Sequence, residues 1–104
     1  MTHSHRSFEN PRALPHDVVA AAIERALADS AQEAAAVDAL VGIALNDDDR
    51  AFIEHCCLDV GTRAAAGSQL LGLAALCLGH AARRFGELTD QAVTLVEALA
   101  ARSK

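Results

Sequence analysis

The chain has no tryptophan and no tyrosine, three phenylalanines, one methionine and a single lysine. A core without large rings has to be filled by small and aliphatic side chains. Alternating runs of β-branched or aromatic residues are missing too, which leaves no signal for strands. No stretch of about 20 apolar residues occurs, so no membrane-spanning helix is expected. The opening residues, MTHSHRSFENPR, lack the apolar segment of a secretion signal. Cysteine appears three times, at 56, 57 and 77. An odd count with two adjacent members does not make a disulfide framework, and reduced thiols in a cytoplasmic protein are expected. Motifs are absent as well. There is no glycine-rich phosphate loop, no G-x-S-x-G, no C-x-x-C and no calcium loop of the D-x-D-x-D-G type.

What fills the chain is alanine, 24 residues of 104. Alanine is the best helix former. The length suits one domain with one core, and the hydrophobic share of 52% is enough to build it. The expected fold is all-α: about five helices packed as antiparallel pairs, in a short solenoid or bundle. Net charge is −5. An acidic chain is a poor nucleic-acid binder and a good match for a basic protein partner.

Residues 1–13 carry no apolar period and read as a flexible N-terminal tail ahead of a single domain over 14–104. His3 and His5 in it carry no metal assignment. The first helix is expected over about 15–28, with Pro15 in its first turn and an apolar stripe of Val18, Val19, Ala22, Ile23, Ala26 and Leu27. Ser30 and Glu33 read as a capping box for the second helix, whose stripe is Val37, Leu40, Val41, Ala44 and Leu45. Asp47 then reads as the N-cap of the third, with Asp48 and Asp49 in its first turn. That helix buries Phe52, Ile53, Cys56, Cys57 and Val60, and Gly61 is its expected stop.

Residues 62–68 allow two readings. Either the fourth helix begins at Arg63 and bends at Gly67 and Ser68, or a short turn of helix sits there alone and Ser68 caps a helix that starts at about Gln69. Gly86 ends it. Thr89 caps the fifth helix, Leu88 is expected to staple onto Val93, and the stripe is Val93, Val96, Leu99 and Ala100. This helix is expected to fray near Ser103.

In the fourth helix, Gly72, Ala75, Gly79 and Ala82 share one face of small side chains. Such a face lets a neighbouring helix come close, and the apolar residues around it suggest a buried central helix. His80 sits at its polar end and is expected to bond a neighbouring carbonyl or carboxylate, with Arg83 and Arg84 against the negative end of the dipole.

Chemistry is weakly signalled. His55, Cys56, Cys77 and His80 could in principle make a tetrahedral zinc set, but both cysteines lie on core stripes, where a free cysteine is usually a small hydrophobe. The carboxylates Glu54 and Asp59 beside Cys57 disfavour a thiolate nucleophile. No catalytic, cofactor-binding or metal-binding residue is assigned, and the chain reads as a non-enzyme.

The stretch LGLAALCLGHAARRFGEL resembles the signature helix of small bacterial HEAT-like proteins, an Ala-Leu-x-x-Leu-Gly-His-x-Ala-Arg run followed by a glycine and an acidic turn. Ala75, Leu76, Leu78, Gly79, His80, Ala82, Arg83, Gly86 and Glu87 carry the match. The preceding DDDRAFIEHCCLDV is similar to their preceding helix. The resemblance covers residues 47–100; the usual proline-bearing turn is missing from 60–68. Many such proteins are immunity proteins of contact-dependent growth inhibition and related polymorphic toxin systems. The resemblance therefore implies a cytoplasmic protein that binds a cognate toxin, often a tRNA-cleaving nuclease, and blocks its active site. The cleft of a nuclease is basic, so the expected contact residues are Asp47, Asp48, Asp49, Glu54, Glu87 and Asp90, on turns that share one edge. The alternative is a HEAT-like scaffold that docks other proteins.

Overall fold

A computed structural model describes residues 13–102, and it is all-helical over that span. The expected tail (all but Ala13) and the fraying point at Ser103 lie outside the described residues. Five helices follow one another: α1 (His16–Ala28), α2 (Glu33–Asn46), α3 (Arg50–Arg63), α4 (Gln69–Phe85) and α5 (Asp90–Arg102), with a single 3₁₀ turn (Ser30–Gln32) ahead of α2.

Each helix touches its neighbour in sequence. Beyond that, α1 touches α3, α2 touches α4, and α3 touches α5. Among the described residues α1 reaches neither α4 nor α5, and α2 does not reach α5. The helices therefore stack in two layers, α1–α3–α5 and α2–α4. The result is a small helical bundle in which α3 touches all four other helices.

The caps differ in detail from the sequence reading. Pro15 precedes α1 rather than joining it, and its carbonyl accepts from Val18 N and Val19 N, both at 3.0 Å. The expected Ser30–Glu33 box is not formed. Asp29 caps the 3₁₀ turn by accepting from Ala31 N, and Ser30 is already inside it. Glu33 instead reaches across to the start of α4, where Ser68 Oγ donates to it at 2.8 Å and Gln69 Nε2 at 3.3 Å. At α4 Ser68 is the cap, accepting from Leu70 N at 3.1 Å, while Arg63 still belongs to α3 and residues 64–68 form a turn rather than a short helix of their own. Thr89 caps α5 through Ala92 N at 3.2 Å.

The core is aliphatic and sulfur-bearing. Val19, Ala22 and Ile23 of α1, Ala36, Leu40 and Ile43 of α2, Ile53, Cys57 and Val60 of α3, and Leu70, Cys77 and Leu78 of α4 are all buried. Alanine at the contacts lets helices approach without losing packing density. Val18 was expected in the stripe of α1 but is 43% exposed. Helix α5 buries Ala92 and Leu99, with Leu95 and Val96 packed partly against the core; Val93 and Ala100 point outward. Leu88 packs against the core.

Two glycine assignments change. Gly61 does not stop α3, which runs two residues further. A Cβ there would sit 2.5 Å from Leu95 Cδ2, so this glycine is where α3 admits α5. Gly72 and Gly79 have nothing within 4 Å of such a Cβ. No neighbouring helix comes close to them, because the α2–α4 layer stops at α4. Leu76 on the same open face is 57% exposed.

Candidate functional site

The α2–α3 turn is built from three consecutive aspartates, and each does something different. Asp47 ends α2 in extended conformation. Its Oδ1 accepts from Asp49 N at 2.8 Å, and its Oδ2 lies 2.9 Å from His16 Nε2. The His16 ring stacks on Phe52, centroids 3.6 Å apart. Asp47 is thus the pin between α1 and the turn. The N-cap of α3 is Asp49, not Asp47 as expected: its side chain accepts from Phe52 N at 3.0 Å. The local reason is that Asp47 is already folded back on Asp49 N and cannot reach the first turn of α3. Asp48 is the exposed tip, with Arg84 Nη2 at 3.5 Å.

Glu54 belongs to the interior. It is 3% exposed. Thr89 donates to it through Oγ at 2.8 Å and through its backbone N–H at 3.3 Å, and Arg50 Nε stands 3.7 Å away. A buried carboxylate needs this company. The same Arg50 reaches Glu87 at 3.0 Å. Gly86, the one described residue with a left-handed backbone (φ 80°), turns the chain from α4 toward α5. Asp90 is the exposed first residue of α5.

The two acidic turns therefore lie at one end of the stack, tied by Arg50–Glu87 and Arg84–Asp48. Of the six residues singled out in the sequence, Asp48, Asp49, Glu87 and Asp90 face solvent. Asp47 is half-buried and Glu54 is inside. Chemically the end offers carboxylates to cations. The ion pairs there are exposed on at least one side, and such pairs contribute little to stability. A cationic partner can displace them at small cost.

Arg84 is a residue the sequence reading placed near the helix dipole without its partner. Its Nη1 donates to Ala44 O at 2.9 Å and to Ile43 O at 3.5 Å, closing the end of α2. This anchoring was expected of His80. The contact of His80 is instead with Arg83, Nη2 to Nδ1 at 3.2 Å. His16 was not singled out at all. No periodicity marks it, because its partners lie elsewhere in the chain, Asp47 in the α2–α3 turn and Phe52 on α3.

The thiols are buried. Burial pushes Cys56 up to about 12, helped by the nearby charges of Asp59 and Asp47. Among the described residues no three His, Cys, Asp or Glu side chains gather as a metal-binding set. Away from the acidic end, Leu71, Gly72 and Ala75 of α4 and Val96, Leu99 and Ala100 of α5 line an open apolar groove of about 570 Å³. It lies along the outer side of α4, where a further helix would continue the α2–α4 layer.

No family model matches the chain, and neither a curated protein nor a solved structure matches it.

Proposed function

We propose that this chain is an immunity protein that binds a basic toxin domain, a tRNA-cleaving nuclease of a contact-dependent growth inhibition system, and occludes its active site in the cytoplasm. The observation that carries the reading is the convergence of two acidic turns on one end of a small helical stack, with Asp48, Glu87 and Asp90 exposed there. The resemblance of residues 47–100 to HEAT-like immunity proteins supports the same reading.

Such a role needs a stiff scaffold and a charged surface, and no reacting groups. A nuclease cleft is lined with cations that hold phosphates. Carboxylates on a fixed end can take the place of those phosphates, and opposite charge speeds the encounter. Asp48 and Glu87 already sit beside arginines, so binding would exchange Arg84 and Arg50 for cations of the toxin.

The test is protection. The chain is co-expressed with the toxin domain encoded by the neighbouring gene, and survival is scored. Protection is expected for the wild type. It is expected to be lost in a triple variant carrying Asp48→Arg, Glu87→Arg and Asp90→Arg that keeps its helical circular dichroism. Failure of the wild type to protect would overturn the immunity role and leave the protein-docking scaffold. Protection that survives the triple reversal would move the binding surface elsewhere.

A further inference from the structure

Helix α4 is covered on its inner side and open on its outer one. Gln69, Gly72, Leu76, Gly79 and Arg83 recur along the outer side at helical spacing. All are exposed except Gly79, which is half-buried. Leu76 stands in the middle of the row and is 57% exposed. Gly72 and Gly79, one turn to either side of it, leave hollows that nothing among the described residues enters. Leu71 and Ala75 turn from the same helix into the apolar groove, which Val96 and Leu99 of α5 close on the far side. A contiguous apolar surface of this kind marks an interaction site, whereas a lone exposed leucine does not.

Charge identifies what covers it. Helix α4 has no acidic residue. Arg83, at the C-terminal end of the row, contacts the His80 ring at 3.2 Å. It has no carboxylate within ion-pair distance among the described residues. At the N-terminal end, Glu33 of α2 accepts from Ser68 Oγ at 2.8 Å and from Gln69 Nε2 at 3.3 Å. Glu33 pairs with no cation among the described residues. Unmatched charges of opposite sign therefore stand at the two ends of one apolar face. The row also reads nearly the same backwards about Leu76: reversal sets Gln69 opposite Arg83 and Gly72 opposite Gly79. A second copy laid antiparallel on this face brings its Arg83 to the Gln69–Glu33 end and offers its own Glu33 to the first copy's Arg83. Such reciprocal pairing is what a two-fold interface requires.

We propose that the outer face of α4 is a homodimer interface, in which two copies pair antiparallel about Leu76, with Arg83 of each against Glu33 of the other. Leu76 of each copy enters the hollows beside the glycines of the other, and the missing side chains let the two helices come close. The pairing joins two α2–α4 layers into one layer of four helices. The 17 residues of α4 span about 25 Å. A strip of that length and about two helices wide is about 500 Å² per copy, at the lower edge of what a specific dimer needs. A reversible dimer with a Kd of about 10–100 µM is therefore expected. The acidic end lies beyond the C-terminus of α4, so antiparallel pairing points the two acidic ends in opposite directions and leaves both open. The dimer does not depend on what those ends bind.

Sedimentation equilibrium of the full chain between about 1 and 500 µM reads the association. The mass is expected to rise from 10.9 kDa towards twice that value. Leu76→Glu should weaken the dimer at least about tenfold. Val18→Glu, at an exposed position of α1, which does not touch α4, should leave it unchanged. Arg83→Glu and Glu33→Arg should each weaken it about tenfold when alone, since like charges then meet at both ends. An equimolar mixture of those two variants should recover the wild-type affinity, because both ends of the mixed dimer carry opposite charges. A wild-type chain that stays monomeric would overturn the proposal. So would a dimer that tolerates Leu76→Glu, a mixture that associates no better than its components, or a monomer whose groove holds a co-purified apolar molecule by native mass spectrometry. Circular dichroism checks each fold; if Glu33→Arg fails to fold, Leu76→Glu and Arg83→Glu decide the matter.

Discussion

Glu54, inside α3, holds the first turn of α5 by accepting both the hydroxyl (2.8 Å) and the backbone N–H (3.3 Å) of Thr89. Removing the carboxylate leaves the two Thr89 donors without their acceptor in a half-buried place, while Arg50 keeps Glu87. Glu54→Ala is expected to cost about 3 kcal/mol, and Thr89→Ala about 1 kcal/mol through the lost cap. The double variant should lose less than the sum, since both act on one network. Urea unfolding midpoints check this.

The glycines predict opposite signs. Gly61→Ala would press a methyl group against Leu95 and should cost about 1–2 kcal/mol. Because the clash is with the end of a leucine side chain, Leu95→Ala should relieve part of it. Gly72→Ala and Gly79→Ala meet open space and should each stabilise the protein by about 0.5–1 kcal/mol. Thermal unfolding of the four variants separates the cases. A stabilising Gly61→Ala would contradict the packing described.

Arg84 closes the end of α2 from another helix. Arg84→Met keeps most of the stem and removes the donors, and should cost about 1–2 kcal/mol. Its ion partner Asp48 is fully exposed, so Asp48→Asn should change stability by less than about 0.5 kcal/mol. Equal losses from the two variants would mean that the ion pair, rather than the carbonyl bonds, matters.

Alkaline stability follows from Cys56. Its thiol ionises near 9.0 in an open chain and at about 12 in the fold. Between those values the unfolded chain releases a proton that the folded chain keeps. Stability therefore falls as pH rises from 9 towards 12. Cys57, also raised, adds to the slope. Cys56→Ala should flatten the decline, measured as unfolding free energy against pH. A slope unchanged by this substitution would show that Cys56 contributes nothing to it.

Helix number and type were legible because apolar residues recur at helical spacing and because Gly86, Ser68 and Thr89 carry turn and cap chemistry that acts over three or four residues. The caps that failed were those where a side chain had a competing partner. Glu33 left its box for Ser68 and Gln69, and Asp47 turned back to Asp49 and His16. A sequence shows which residues can cap; it does not show which distant donor arrives first. The two acidic turns were expected to share one edge, and Arg50–Glu87 joins them, but Glu54 lies within α3 and not on a turn. The exposure of the acidic candidates was not legible, because Glu54 and Asp48 look alike in composition and differ only in what packs over them.

The sequence by itself determined a helical chain with an aliphatic core, an acidic balance and two acidic turns, since these rest on composition and on periods of three or four residues. Tertiary structure decided which small residues are contacts and which are surface. Gly61 admits a helix, while Gly72 and Gly79 meet open space, because the two-layer stack places α5 beside α3 and puts no further helix over that side of α4. That difference lies in the order of layers, which no local spacing encodes.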